Sequence, residues 1–397
     1  MPGPYWWLWA GVLVNRLGGL VVPYLSIYLT ERRGASVAQA GAIASLFGLG
    51  SIASGPVAGM LADRLGRRTT MTLALALAGS GMIALGYVER LELIAAGALV
   101  LGFLAECYRP AMSAAVADLV PELEDRLRAY ALFFWAANLG FSVALAAAGL
   151  LARVSFRLLF ALDGLTTLAF GGLVALKVPE TRPRGGPAPA ERALAGLVLA
   201  LRDRELVKLV GLNFLAALML WQAHATLPLY LRARGLSTST YGALMALNGL
   251  VIVVLQPFVA PAVQRFDAAR VLSLSGVLVG AGWGLNALAA TTPAYALAIV
   301  VWTLGEILST PTGSALVAEL APPSLRGRYQ GLYAMSWAFA AATAPAAGAL
   351  VLARLGARAL WGGCLGLGLL LALLHLAAAG PRRRRLEASR AARAPAG

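Results

Sequence analysis

Residues 59–68 read Gly59-Met60-Leu61-Ala62-Asp63-Arg64-Leu65-Gly66-Arg67-Arg68, a short basic turn between two long apolar runs. Gly59 lets the preceding helix approach a neighbour closely, and Gly66 permits a tight reversal. Asp63 is placed to pair with an arginine or to cap a neighbouring helix N-terminus, where unsatisfied N–H groups favour an anion. Such a contact can be made and broken, so Gly59, Asp63, Arg64, Gly66, Arg67 and Arg68 are read as a conformational latch. The arginines alone would suit any loop at a membrane surface, but the Gly-Asp-Gly spacing asks for more.

Outward from this turn, apolar residues dominate. The 397-residue chain is 59% hydrophobic and 13% charged, against about 45–50% and about 25% in soluble domains. Apolar runs lie near 5–28, 37–62, 70–88, 91–116, 130–151 and 156–178, then near 206–231, 240–263, 271–289, 294–317, 329–351 and 359–379. Most are about 20 residues long, enough to cross a bilayer as helix. The first run lacks the basic start and small-residue cleavage site of a removable signal, so Tyr5–Tyr28 is read as the first span. Cys107 and Cys364 both lie in apolar runs without metal-ligand or disulfide spacing, which points to buried thiols and no metal.

Between the sixth and seventh runs a Pro-, Gly- and Arg-rich stretch gives way to a helical pattern. The expected organisation is a bundle over 1–178, a linker with an interfacial helix over 179–205, a second bundle over 206–380 and a basic tail over 381–397. Twelve spans put both termini on one side, and 22 of the 33 Lys and Arg residues then face that side while 9 face the other. Basic loops resist translocation, so the termini are expected in the cytoplasm, in a multi-pass protein of the cytoplasmic (inner) membrane. The net charge of +15 is thereby mostly topology, with attraction to membrane lipid secondary, and nucleic acid is not expected as a partner.

The halves also repeat. Pro110, Asp118 and Pro121 match Pro311, Glu319 and Pro322 at a constant offset of 201 residues, which indicates a duplicated six-helix unit. The loop quoted above closely resembles the signature loop of the major facilitator superfamily, GxLaDrxGrR; its counterpart at 264–270 keeps only Asp267 and flanking arginines. The resemblance covers nearly the whole chain. It implies an all-α integral membrane protein of two six-helix bundles related by a pseudo-two-fold axis, with the first, fourth, seventh and tenth spans lining a central cavity. It also implies a secondary transporter of a small-molecule substrate, with no enzymatic activity and no cofactor, powered by a proton gradient; a monomer is expected.

Ionisable groups inside a bilayer are costly and need a partner, water or a task. Arg16, Glu106, Arg109, Asp163, His224 and Glu306 fall inside the runs, and all but Asp163 lie on the four spans named above. Arg16 and Glu106 suit a cross-helix ion pair, while Arg109 can reach Glu106 at i+3. Whether this is a static pair or a relay stays open. Thr303-Leu304-Gly305-Glu306-Ile307 before Pro311 looks like the tenth span of proton-coupled multidrug efflux transporters, where this carboxylate serves substrate or proton binding. Glu306 is therefore the leading proton carrier. His224 occupies a seventh-span site where similar antiporters can carry an acid, and histidine titrates near physiological pH. Glu106 and Asp163 complete the proton-coupling candidates, ranked below Glu306, with pairing to a Thr, an Arg or a helix end as the main task expected of Asp163.

Tyr24, Tyr28, Trp135, Asn138, Trp221, Gln222, Asn248, Gln256, Trp302 and Trp337 are candidate cavity residues, since aromatics with polar tips suit amphipathic ligands. The fifth span, Asn138 to Gly149, lacks the Gly-Pro pair common in drug antiporters. The expected activity is proton-coupled export of amphipathic compounds; the alternative is a uniporter, or a carrier of a lipid, sugar or other metabolite, on the same scaffold.

Overall fold

A computed structural model describes residues 1–120, 123–181, 198–263, 265–322 and 326–391, which form helices joined by short turns with no strand among them. This is the expected outcome for apolar runs, because only helices and closed barrels satisfy every backbone group within lipid. The helices are α1 (Gly3–Leu17), α2 (Val21–Arg33), α3 (Val37–Leu65), α4 (Arg67–Leu85), α5 (Leu91–Leu119), α6 (Leu123–Val154) and α7 (Phe156–Lys177). They continue as α8 (Arg204–Leu220), α9 (Gln222–Ala225), α10 (Leu227–Ala233), α11 (Thr238–Val263), α12 (Ala268–Leu285), α13 (Thr292–Leu320), α14 (Arg326–Ala377) and α15 (Ala379–Ala391).

Among the described residues, 11 helical stretches are long and apolar enough to cross a membrane. The last of them, Arg328–Ala377, has 50 residues and is interrupted at Gly356, whose φ of 82° and ψ of 174° are not helical. Leu288, Leu176 and Phe258 are 83, 82 and 74% exposed. In water such side chains would drive aggregation, whereas lipid solvates them.

Two spans expected to be continuous are broken. The first divides at Gly18–Leu20, where the Gly18 N–H donates to the Val14 and Asn15 carbonyls and closes α1. A Cβ at Gly18 would lie 1.8 Å from Thr166 Oγ1, so the break packs against α7 only with glycine there. The seventh divides twice, at Trp221 and Thr226, into α8, α9 and α10, with Pro228 in the first turn of α10.

Packing divides the chain into two compact units, neither of them a continuous stretch. One comprises Met1–Pro187, Gln222–Val253 and Ala341–Arg354. Its core includes Tyr5, Leu8, Met71, Leu75, Tyr108, Phe133 and Phe170. Small residues allow its helices to meet at backbone distance: a Cβ at Gly102 on α5 would lie 1.9 Å from the Phe47 carbonyl oxygen on α3. The other comprises Ala188–Trp221, Val254–Ala340 and Leu355–Gly397, with Leu206, Leu209, Leu272, Leu320 and Tyr329 in its core.

Candidate functional site

The break in the first span places its charges. Helix α2 begins with backbone donors unmatched inside the helix, and the Leu20 and Val21 N–H groups both donate to Asp163 Oδ2, at 3.1 and 3.0 Å. Asp163, 7% exposed on α7, thus caps the start of α2. Arg16, two residues before Gly18, acts electrostatically on Asp163 and packs its Cβ against Gly140 of α6. Its buried Nε has no hydrogen-bond partner among the described residues.

The expected cross-helix pair of Arg16 with Glu106 does not form. Glu106 instead holds Arg109 at 2.7 Å, one turn along α5, because helical i,i+3 spacing brings these side chains together without moving a neighbour. Both are partly open, Glu106 at 30% and Arg109 at 46% exposure. The ring of Pro110 also removes the N–H that would bond to the Glu106 carbonyl, so α5 is weakened beside this pair.

Glu306 lies mid-way along α13, five residues before the internal Pro311. Its carbonyl accepts the hydroxyls of Ser309 and Thr310, each at 3.1 Å, and such back-bonding bends helices. The Glu306 side chain is partly exposed. His224, on the four-residue helix α9, stands edge-on to Phe141 with ring centroids 5.6 Å apart. Its neighbour Gln222 is buried: Nε2 donates to the Ala344 carbonyl at 3.3 Å, while Oε1 accepts from Thr226 Oγ1 at 2.7 Å.

Several candidate cavity residues sit inside helix packing. Tyr24 is 1% exposed, donates to the Leu145 carbonyl and lies edge-to-face with Tyr241. Tyr28, 3% exposed, packs on Phe156 and Phe160 and accepts from Arg33 Nε at 2.7 Å. Trp302 is 2% exposed and stacks on Trp283, which stacks on Trp361. These three serve packing because their flat rings fill gaps between helices. Asn248 is also buried, whereas Trp135, stacked on Trp9, is exposed. Asn138, Trp221, Gln256 and Trp337 are partly exposed.

At the quoted loop, Gly66 adopts φ 103° and ψ 159° and turns α3 into α4. The carboxylate that caps α4 is Glu180: Oε1 accepts the Arg67 N–H at 2.7 Å and Oε2 the Arg68 N–H at 3.2 Å. Any Cβ at Gly66 would lie 2.2 Å from that Oε2. Arg67 Nη1 donates to the Ala62 carbonyl at 2.8 Å, and Nε lies 3.6 Å from Asp118 Oδ2, which also accepts from Thr181. Arg68 donates to the Ala175 carbonyl, and Arg64 is exposed in the last turn of α3. Gly59 lies within α3, and the Asp63 side chain lies outside the described residues. Glu180 is not among the residues expected from the sequence, although Pro179-Glu180-Thr181 directly follows the sixth span.

At its other end the same unit is shut by residues related at the repeat offset. Gly34 and Gly235, with φ of 67° and 81°, turn into α3 and α11. Glu31 and Arg232 form an ion pair. A Cβ at Gly41 or Gly48 would lie within 2.6 Å of atoms on α14, at Ala349 and Ala341. At Gly242 and Gly249 it would meet Tyr24 Oη at 2.5 Å and Ser142 Oγ at 1.7 Å. Ser45 Oγ accepts the Ala346 N–H at 3.0 Å across this seam.

The comparisons agree with this architecture. The family profile described as Major Facilitator Superfamily matches residues 8–239 and 209–396. The chain is 25% identical to a Na(+), Li(+), K(+)/H(+) antiporter of Planococcus maritimus, over 78% of this chain and 80% of that one. It is also 25% identical to the multidrug resistance protein MdtH of Aeromonas salmonicida (strain A449), over 82% of each. A crystal structure of a POT family transporter in complex with 5-aminolevulinic acid superimposes with a TM-score of 0.83 at 16% identity, covering 96% of this chain and 97% of that one. With matched profile, signature loop and helical fold in accord, the chain belongs to the Major Facilitator Superfamily, a family of multi-pass membrane transporters and not of enzymes.

Proposed function

We propose that the protein is a proton-coupled exporter of amphipathic or hydrophobic small molecules in the cytoplasmic membrane, with Glu306 as its principal proton carrier. The observation that carries this reading is the placement of a partly open carboxylate mid-span, where Pro311 and two back-bonded hydroxyls weaken α13. A carboxylate at a flexible point of a membrane helix can change its surroundings as the helix bends, which is what loading and releasing a proton requires. The relatives named as a multidrug resistance protein and a cation/proton antiporter support it by likeness.

The proposed architecture has twelve crossings in two six-helix bundles, 1–178 and 206–380, with both termini cytoplasmic. A straight helix of 50 residues would extend about 75 Å, more than twice a hydrocarbon core of about 30 Å, and the Gly356 interruption supports reading this stretch as two crossings. The Glu180 cap on α4 is read as one contact of the latch that alternating access must release. Asp163 is read as structural, which leaves Glu106 and His224 as secondary coupling candidates.

Proteoliposomes with an imposed pH gradient test the reading. Wild type is expected to accumulate an amphipathic dye such as ethidium only with the gradient, and Glu306→Gln to lose that response. Gradient-driven uptake by Glu306→Gln equal to wild type would remove Glu306 as the carrier. A second reading, direct binding of a zwitterionic metabolite without proton exchange, is favoured by the half-open Glu106–Arg109 pair. Transport indifferent to pH and lost on Arg109→Gln would select it.

A further inference from the structure

A cleft of about 490 Å³ opens in the second unit between the α11–α12 turn, the latter half of α13 and α15. Val263, Phe266, Pro311, Ala315 and Leu316 give it apolar walls, and Arg382 of α15 lies at its charged end. Phe266 is 68% exposed there.

Arg382 is 2% exposed, and its Nε, Nη1 and Nη2 all lack a hydrogen-bond partner among the described residues. A buried guanidinium without acceptors is strongly disfavoured unless something supplies them. Among the described residues no surrounding carboxylate bonds to Arg382. Asp267 Oδ1 accepts the Ala269 and Arg270 N–H groups at the start of α12. Glu387 binds Arg383 at 2.9 Å, Glu205 binds Lys208 at 2.8 Å, and Glu319 is also engaged. Burial lowers the Arg382 pKa, while Glu205 and Asp267 oppose that only through space. Glu205 keeps Oε2 unbonded, so a turn of that side chain towards Arg382 is the competing arrangement.

The missing acceptor is an anion with several oxygens in guanidinium reach, which describes a phosphate. The apolar walls exclude a free ion as the best fit. The position fits a lipid, because α15 follows directly on the last apolar stretch and carries Arg382, Arg383, Arg384 and Arg385 in succession. We propose that this cleft binds one anionic phospholipid, with its phosphate on Arg382 and the start of an acyl chain against Phe266, Ala315 and Leu316.

The full chain in detergent, titrated with phosphatidylglycerol, phosphatidylcholine or inorganic phosphate and examined by native mass spectrometry, tests this. One phosphatidylglycerol per chain is expected, held about tenfold tighter than phosphatidylcholine and about tenfold tighter than by Arg382→Gln, the scale of one charge-assisted contact. Ala315→Trp, a change at an exposed wall position, is expected to block the same lipid with Arg382 intact, and so keeps the test valid if Arg382→Gln misfolds. Equal retention by wild type and both variants would overturn the site. Equal retention of the two lipids would overturn its anionic selectivity. Displacement of the lipid by inorganic phosphate at similar concentration would reassign it to a free ion.

Discussion

Asp163 shows how a charge in a membrane helix acquires a structural task. Both of its backbone donors belong to one helix start; its removal takes the acceptor from the Val21 N–H, while the Leu20 N–H keeps the Gly18 carbonyl at 2.7 Å, at a cost of about 1–3 kcal/mol. Asp163→Leu is expected to lower the thermal unfolding midpoint of the detergent-solubilised protein clearly. Asp163→Asn, which keeps an acceptor oxygen, is expected to stay near wild type and to retain pH-driven transport. Loss of pH coupling in a stable Asp163→Asn protein would return Asp163 to the coupling candidates. The need for a partner was legible from sequence, because every ionisable group stands out in an apolar run. The partner was not, since the Leu20 amide is 143 residues away and becomes available only through the break at Gly18.

The helices record the duplication more deeply than the Pro110 and Pro311 segments did. Gly34, Gly41 and Gly48 recur as Gly235, Gly242 and Gly249 at the same offset, and each of the last two pairs meets a neighbouring helix too closely for any side chain. This spacing was present in the sequence, but a glycine announces itself only once the facing backbone is known. The broken first and seventh spans were also hidden, since Gly18-Gly19 and Pro228 are tolerated within continuous membrane helices. Gly41→Trp combined with Gly242→Trp is expected to hold this seam open. A cysteine at Ser45, 7% exposed in the wild-type seam, should then react with a membrane-impermeant maleimide far faster than in the parent. Unchanged protection of that cysteine would show that the glycines do not close the seam.

For the whole molecule, charge predicts a sidedness that can be tested chemically. Tyr87 and Phe266 are 66 and 68% exposed in turns expected on opposite faces, and the native Cys107 and Cys364 are both buried. Tyr87→Cys is expected to label in intact cells, and Phe266→Cys only after permeabilisation; the reverse pattern would invert the topology. The family was legible because the Gly66 turn and the apolar rhythm are local, whereas cargo depends on side chains brought together from distant spans. The coupling claim itself is tested most directly by proton release. Adding ethidium to the solubilised protein in weakly buffered solution is expected to acidify the medium for wild type and not for Glu306→Gln. Equal acidification by both, or dye binding with no proton released by wild type, would contradict proton-coupled exchange at Glu306.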